Sequence, residues 1–556
     1  MANRSQTKPK LTGVDPNSGF CHSTRIFHSL RPEIPVPPPS QPLSVTDFAF
    51  SFLPSVASSA TVLVDSVTGH HLSDSLFLQQ VKNLSSSLAS LTPLSRGDVA
   101  FILSPSSLQI SVLYFSLLSL GIITSPANTL SSDSEVAHMV RLSQPVIAFA
   151  TSSTAHKIPN LQYGTVLLDS PQFVSMINGL HGSDKNRGSD RVEVSQPDTA
   201  AILFSSGTTG RVKGVELTHR NFISVICDIY YSRQLDMNGE ERRVYLFPLP
   251  LFHVFGFLML LSSVASGDTI VLMQRFDFEG MLKVVEKYKI TSMPVSPPLV
   301  VALTKSELVK KYDLSSLRTV GCGGAPLGKE VAENFKVKFP NVEIGEGYGL
   351  TESSGLAARM IGPEETKRHS SVGRLQNKFE AKIVDPVSGE ALPPGNKGEL
   401  WLRSPTIMKG YVGDEKATTE TLDSEGWLKT GDLCYFDSEG FLYIVDRLKE
   451  LIKYKAYQVA PAELELLLLS NPEIVDAAVI PYPDEDAGQI PMAFVVRKSG
   501  SNITASEVTD FVAKQVAPYK KIRRLSFANS IPKSASGKIL RRELVARALS
   551  AASSKL

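Results

Sequence analysis

The chain reads as an α/β protein: a large N-terminal domain with mixed and parallel sheets, followed by a small α+β C-terminal domain. Three observations predict this. At 556 residues the chain exceeds one ordinary hydrophobic core and should divide. Short apolar runs bounded by turn residues alternate with stretches of helical apolar spacing, the pattern of strands covered by helices. Four basic residues, Arg447, Lys449, Lys453 and Lys455, crowd a short segment after which a second α/β pattern begins. Composition agrees with a globular protein, at 42% hydrophobic and 20% charged residues. The 57 Lys and Arg nearly cancel the 55 Asp and Glu, which gives no nucleic-acid signature. Cys21, Cys227, Cys322 and Cys434 are too widely spaced for a disulfide or zinc framework.

In chain order, residues 1–43 are polar and proline-rich and predict an arm, mobile or ordered on contact, not a domain. Arg4, Lys8 and Lys10 precede polar sequence, so no signal-peptide core follows them. The large domain is expected over 44–446. Residues 76–84 have helical spacing, and 97–103 read as a strand. Leu108 to Ala127 is the most apolar region, but Gln109, several serines and Pro126 favour a buried amphipathic helix near 108–119 and a strand near 121–124 over an integral membrane span. Further strands are expected at 146–150 and 166–168. A mobile small domain is expected over 447–553. The tripeptide Ser554-Lys555-Leu556 reads as a peroxisomal import address, which implies an import receptor as partner.

The candidate site begins at Ser205-Ser206-Gly207-Thr208-Thr209-Gly210-Arg211-Val212-Lys213-Gly214. The apolar run 200–204 before it predicts a strand, and 215–222 after it can open a helix. A strand, a polar loop and a helix together can wrap backbone N–H groups around phosphate. The hydroxyls add donors and Lys213 adds charge. The stretch lacks the Gly-Lys-Ser/Thr ending of a Walker A loop, so it predicts a phosphate loop of another class. Pro248-Leu249-Pro250-Leu251-Phe252-His253 displays His253 at a pocket mouth. Gly321-Cys322-Gly323-Gly324 is a strand end opening into a turn small enough for a flat ring to lie on. Gly345-Glu346-Gly347-Tyr348-Gly349-Leu350-Thr351-Glu352 gathers an aromatic face, a hydroxyl and a carboxylate, a set suited to base stacking and to Mg²⁺ shared with substrate phosphates. Asp432, in a tight turn, can accept both ribose hydroxyls. Pro532 to Lys538 is the last loop of the small domain and carries Lys538.

In this order the motifs resemble the acyl-adenylate-forming superfamily, over about residues 45 to 545. The likeness is strongest to plant 4-coumarate:CoA ligases and their peroxisomal relatives, carried by Asp446-Arg447-Leu448-Lys449-Glu450-Leu451-Ile452-Lys453-Tyr454-Lys455 and by 458–465. The resemblance implies a carboxylic acid:CoA ligase using ATP, Mg²⁺ and CoA. Acid and ATP give acyl-AMP and pyrophosphate, and CoA then displaces AMP after the small domain swings. Carried over by motif, 205–213 hold the β- and γ-phosphates, Thr351 the α-phosphate and Glu352 the Mg²⁺. Gly324, Gly347 and Tyr348 frame adenine and acyl-adenylate, with Glu346 beside them, and Asp432 and Arg447 bind ribose. Lys538 bridges the carboxylate and α-phosphate. His253 is counted with the catalytic set, Lys453 and Gln458 are further catalytic contacts, Lys449 is the hinge, and Lys455 and Ala456 lie on the CoA route. Arg275 is counted among the cofactor-binding residues.

Three departures from the family pattern are visible. Glu346 stands where glutamine is usual, adding a charge near the nucleotide. Ala456 stands where glycine lines the route of CoA. Phe255 stands where hydroxycinnamate ligases carry tyrosine. With Val254, Phe257, Leu258 and Met259 it predicts an apolar acid pocket, which favours fatty, jasmonate-precursor-like or unsubstituted aromatic acids over phenolic ones. The alternatives are a 4-coumarate ligase, a luciferase-like oxygenase on the same fold, and a silent acyl- or nucleotide-binding protein. Retention of Lys213, Glu352, Asp432, Arg447 and Lys538 together argues against the last.

Overall fold

The structure, a computed structural model, describes residues 13–53, 59–179, 192–205, 212–236, 242–455, 457–534 and 537–553. Three sheets build the large domain. In the first, the β-branched and aromatic runs Val99–Leu103, Ile123–Pro126, Ile147–Ala150 and Thr165–Leu167 pair in parallel. Thr199–Ser205 continues that sheet, and Lys213–Thr218 and Gly410–Tyr411 add antiparallel strands at its edge. Val99–Leu103 is buried along its whole length, as a strand covered on both faces must be.

The second sheet has a parallel centre made of Thr61–Asp65, Thr269–Leu272, Val244–Phe247, Ser292–Val295, Thr319–Cys322 and Glu343–Tyr348. Helices Leu108–Ser119 and Val254–Ala265 lie in the apolar layer it shares with the first sheet. Leu108–Ser119 is buried on nearly every face, with Gln109 exposed, so it is a core helix and not the amphipathic one expected. Among the described residues no helix is long and apolar enough to cross a membrane.

The third sheet is antiparallel and joins Glu380–Val384, Gly398–Arg403, Leu428–Phe436 and Leu442–Arg447. Its far edge takes in part of the N-terminal segment. Ile26–His28 pairs with Glu380–Val384, Phe27 is buried with its ring stacked on Phe436 at 4.3 Å, and Arg31 makes a two-pronged ion pair with Glu365. An aromatic and a guanidinium, buried by partners more than 300 residues away, outweigh the polar composition around them.

The small domain packs helices Pro461–Ser470 and Ala505–Ala513 on a five-stranded sheet with its own apolar cluster around Ile452, Val479 and Val495. A polar contact seats it on the large domain. Lys305 of helix Pro297–Lys305 donates to the carbonyls of Leu469, Asn471 and Ile474. The first two belong to the C-terminal end of helix Pro461–Ser470, where a cation meets the negative end of the helix dipole. Within the small domain, Arg541 joins Glu450 and Glu465, tying the last helix to the turn that follows Arg447.

Candidate active site

A cavity of about 840 Å³ lies where the C-terminal ends of the second sheet's parallel strands meet the first sheet, the third sheet and the small domain. Ser205, Lys213, His253, Gly324, Tyr348, Glu352, Arg447, Lys449 and Lys538, which are far apart in sequence, all line it.

At the phosphate end, Glu352 sits in the turn Thr351–Ser353. Its Oε1 accepts a hydrogen bond from the Tyr411 hydroxyl at 2.9 Å and from Ser205 Oγ at 3.3 Å. Thr351 also lines the cavity. The Lys213 ammonium lies 4.3 Å from the Tyr411 ring centroid, a cation–π contact. Ser206, Gly207, Thr208, Thr209 and Gly210 lie outside the described residues. The flanking elements correct one expectation. Lys213–Thr218 pairs antiparallel with Thr199–Ser205, and the helix starts only at His219. The loop therefore joins two strands, and no helix N-terminus follows it directly.

At the nucleotide platform, backbone approach is close: a Cβ on Gly323 would stand 3.2 Å from the Gly347 carbonyl. Gly324 has φ +86, a conformation that glycine adopts freely. Tyr348 OH donates to Asp432 Oδ2 at 2.6 Å, and Arg447 Nε lies 3.5 Å from Asp432 Oδ1. Asp432 and Arg447 are register partners on neighbouring strands, so the pair is fixed by backbone pairing. Asp432 itself is buried behind Thr430, Gly431 and Arg447, which face the cavity. Burial pushes the Asp432 carboxyl up, while Arg447, the Tyr348 hydroxyl and Lys538 pull it down.

Glu346 corrects the expected extra charge. It is only 7% exposed, its Oε2 accepts from the Leu327 N–H at 3.3 Å, and burial raises its pKa to about 8. At neutral pH it is a neutral acid, which offers a carbonyl oxygen and one donor much as glutamine would.

At the acid end, His253 caps helix Val254–Ala265: its Nδ1 accepts from the Phe255 N–H at 3.3 Å. Burial lowers the His253 pKa, so the ring is neutral and its proton is on Nε2. Val254, Phe255 and Met259 line the cavity as expected, whereas Phe257 and Leu258 do not. Helical periodicity turns those two into the core, where Phe257 meets Tyr114 and Phe222.

The small domain contributes Ser534 and Lys538. A Cβ on Gly537, at φ +82, would come within 3.1 Å of Ser296 in the large domain, so the Lys538 loop is seated closely. Burial and the Arg447 guanidinium lower the Lys538 pKa, while Glu450 and Asp432 raise it. Lys449 lines the cavity in the turn after Arg447.

The remaining expected residues are not brought together. Lys453 and Gln458 face each other across the hairpin Ile452–Tyr454/Tyr457–Val459, both exposed and off the cavity. Lys455, at φ +51, is at the hairpin's tip, and Ala456 lies outside the described residues. With Lys538 in the cavity, this hairpin is on another side of the small domain. Arg275 is exposed in the loop after Thr269–Leu272 and does not line the cavity. Tyr411 is the residue that sequence reasoning missed. It reaches Glu352 only because Gly410–Tyr411 pairs with Val215 and Glu216, a contact with no local signal.

Comparison with known proteins decides the family. The model described as AMP-binding enzyme matches residues 55–412, and that of the AMP-binding enzyme C-terminal domain matches 463–538. The chain belongs to the AMP-binding enzyme family. This AMP-binding enzyme is 59% identical over 555 residues to 4-coumarate–CoA ligase-like 9 of Arabidopsis thaliana, covering 98% of each chain. It is 44% identical over 545 residues to peroxisomal OPC-8:0-CoA ligase 1 of the same plant, covering 96% of this chain and 98% of the other. Among solved structures it superposes on o-succinylbenzoate CoA synthetase of Bacillus subtilis, in complex with its acyl-adenylate intermediate. The TM-score is 0.76 at 26% identity, over 91% of this chain and 98% of that one.

Proposed function

We propose that this enzyme is an ATP-dependent carboxylic acid:CoA ligase that works through an acyl-AMP intermediate. The observation that carries this reading is that Lys538, from the small domain, lines the same cavity as Glu352, Lys213 and Tyr348. In the first half-reaction an acid carboxylate oxygen attacks the α-phosphorus of ATP, the α–β bridging P–O bond breaks, and pyrophosphate leaves with the electron pair. Charge builds on the α-phosphoryl oxygens and the leaving group, and fixed cations lower that barrier. Lys538 supplies one at the carboxylate and α-phosphate, and Lys213 supplies one at the β- and γ-phosphates. Thr351 donates to the α-phosphate, Tyr348 and Gly324 frame the adenine, and Asp432 with Arg447 holds the ribose side. In the second half-reaction the CoA sulfur attacks the acyl carbon, AMP departs, and the thiol proton is lost to solvent. Lys449 is the proposed hinge between the two. Lys453 and Gln458 serve the catalytic state, and Lys455 and Ala456 serve CoA.

Glu352 fits Mg²⁺. It is a single carboxylate facing the cavity, oriented by Tyr411 and Ser205, and such an ion takes its other ligands from phosphates and water. When bound, the ion neutralises phosphate charge.

The acid is proposed to be fatty, oxylipin-like or an unsubstituted aromatic acid, since Phe255, Met259 and Val254 offer no hydrogen bond near His253. A phenol hydroxyl buried there unpartnered would cost about 1–3 kcal/mol. Ser554-Lys555-Leu556 supports a peroxisomal location through an import receptor. The test is incubation of the purified protein with acid, ATP, Mg²⁺ and CoA. Stoichiometric AMP, pyrophosphate and thioester are expected, with hexanoate outpacing 4-coumarate. No acid-dependent pyrophosphate release from a broad acid panel would overturn the ligase reading, and oxygen consumption with light would favour an oxygenase. Preference for 4-coumarate over every apolar acid would overturn the substrate reading.

A further inference from the structure

Arg541 is the first residue of helix Arg541–Ser553 and stands three positions after Lys538. A cation at that end of a helix meets the positive pole of its dipole, so the position is unfavourable unless carboxylates answer it. Two of them do. Arg541 Nη2 donates to both oxygens of Glu465 at 2.8 Å, and Nη1 donates to Glu450 Oε2 at 2.5 Å. Nε donates to the Val479 carbonyl at 3.1 Å, and the whole side chain is 15% exposed. Burial lowers the Arg541 pKa, but the fields of Glu465, Glu450 and Asp446 more than offset it.

The two carboxylates stand in different places. Glu465 is buried in helix Pro461–Ser470, where it also accepts from the Val479 N–H at 2.8 Å. Glu450 is partly buried and belongs to the turn that leaves the third sheet. In that turn the Leu448 N–H donates to the Gly431 carbonyl and the Glu450 N–H to the Arg447 carbonyl, both at 2.9 Å. Lys449, between them, lines the cavity. The Arg541–Glu450 bond therefore fastens the start of the last helix to the turn that joins the two domains. The Lys538 loop runs directly into that helix. Its backbone is held by the Leu540 N–H on the Pro532 carbonyl at 2.9 Å and by the Lys538 N–H on Ser534 Oγ at 3.2 Å.

Charged groups reach the Lys538 ammonium from three sides. Burial and Arg447 lower its pKa, Glu450 and Asp432 raise it, and Arg541 lowers it again. Arg447 and Asp432 are register partners in the third sheet and stay with the large domain. Glu450 and Arg541 lie beyond Lys449 and are bonded to each other. The set divides into one pair fixed to the sheet and one pair fixed to the loop that carries the lysine.

Resting on the ligase reading for the role of Lys538, we propose that Glu450 and Arg541 are positioning residues for adenylation. Arg541 fastens the Lys538 loop to the turn after Arg447, and the Glu450 carboxylate is the counter-charge that Lys538 carries with it. The clasp makes the turn and the lysine one body, so that rotation at Lys449 delivers the ammonium to a set place.

The test uses the full chain. Glu450→Gln keeps an acceptor for Arg541 but removes the charge. Acid-dependent pyrophosphate release, followed from about pH 6 to about pH 10, should decline at lower pH than in the parent, because Lys538 gives up its proton more readily with no carboxylate nearby. Competitive labelling of Lys538 by acetic anhydride, read by peptide mass spectrometry, follows the same proton without turnover. At fixed pH that labelling should rise about twofold or more in Glu450→Gln. Glu450→Ala also opens the clasp. It should slow acyl-AMP formation about tenfold even where Lys538 is protonated, while thioester formation from supplied acyl-AMP stays within about threefold of the parent. Glu465→Gln loosens the buried side of Arg541 and gauges stability alone, so its Tm should fall with the pH profile unmoved.

A pH profile or a labelling pattern unmoved by Glu450→Gln would overturn the inference, as would equal loss of both half-reactions in Glu450→Ala. A Glu465→Gln profile shifted as far as that of Glu450→Gln would also overturn it, since the shift would then report loosened packing. A labelling shift in Glu450→Gln, with no acid-dependent pyrophosphate release from the parent, would instead sink the ligase reading and leave the coupling of Glu450 to Lys538 standing.

Discussion

The two ends of the cavity are built on opposite principles. At the nucleotide end, charged groups are held by other side chains before any ligand arrives: Glu352 by Tyr411 and Ser205, Asp432 by Tyr348 and Arg447. At the far end, by Gly321, the lining is small and a Cβ on that glycine would meet nothing within 4 Å. The difference follows from the task. Phosphoryl chemistry needs preorganised charge, whose misplacement by an ångström is costly. An acyl tail needs volume, which small residues leave open.

The largest expected effect tests whether the nucleotide end depends on a group that can be withdrawn. Lys538→Ala should lower acyl-AMP formation by about 10²–10³-fold, while thioester formation from supplied acyl-AMP stays within a few-fold of the parent. Single-turnover measurement of each half-reaction checks it, and equal loss in both would erase the distinction between a delivered cation and the fixed platform. Next is Tyr411→Phe. It keeps the ring under Lys213 but removes the donor to Glu352, so adenylation should fall about tenfold. The Mg²⁺ concentration for half-maximal rate should also rise, which a merely structural tyrosine would not produce. No change in Mg²⁺ dependence would mean that Glu352 needs no orienting.

A smaller effect concerns how the small domain is seated. Lys305→Met removes three hydrogen bonds to carbonyls of the small domain but keeps the aliphatic stem. A cation at a helix C-terminus contributes about 0.3–1 kcal/mol, so adenylation should slow by about two- to fivefold. Thioester formation from acyl-AMP should be unchanged or faster. A parallel decline of both steps would show that Lys305 serves stability alone.

The smallest effect isolates one buried group of the nucleotide end. Glu346 is raised from 4.5 to about 8 by burial. Between those values the folded chain binds the proton and the unfolded chain releases it. Stability should therefore decline as pH climbs through that window and level off above it. Glu346→Gln abolishes this contribution, so its Tm should fall less than the parent's between pH 6 and 8.5. Identical slopes would mean that Glu346 is already ionised, as the sequence suggested.

Much of the fold was legible. Periodicity located the strands at Val99–Leu103 and Ile147–Ala150 and the helix at Leu108–Ser119, because burial of alternating layers leaves long apolar runs. The segment after Gly214 was misread because Val215-Glu216-Leu217-Thr218 has no period long enough to separate a strand from a helix start. Its pairing with Thr199–Ser205 decided the matter. The order of the N-terminal segment comes from Phe436 and Glu365, which are remote in sequence, so its own composition could not show where it would dock.

What the sequence determined by itself is a set of motif stretches that the fold brings to the lining of one cavity. Each is a contiguous, composition-biased stretch, such as Gly345 to Glu352 or Pro532 to Lys538, because glycines, hydroxyls and charges grouped in one turn leave a local signal. Tertiary structure alone decided three things. It decided that Lys538, and not the Lys453–Gln458 hairpin, faces the cavity, and that Glu346 is uncharged. It also decided that the cavity runs on to Thr319 and Glu343 at the N-terminal edge of the second sheet. Domain orientation, desolvation and enclosed volume are properties of surfaces brought together from distant segments, and no local pattern of residues encodes them.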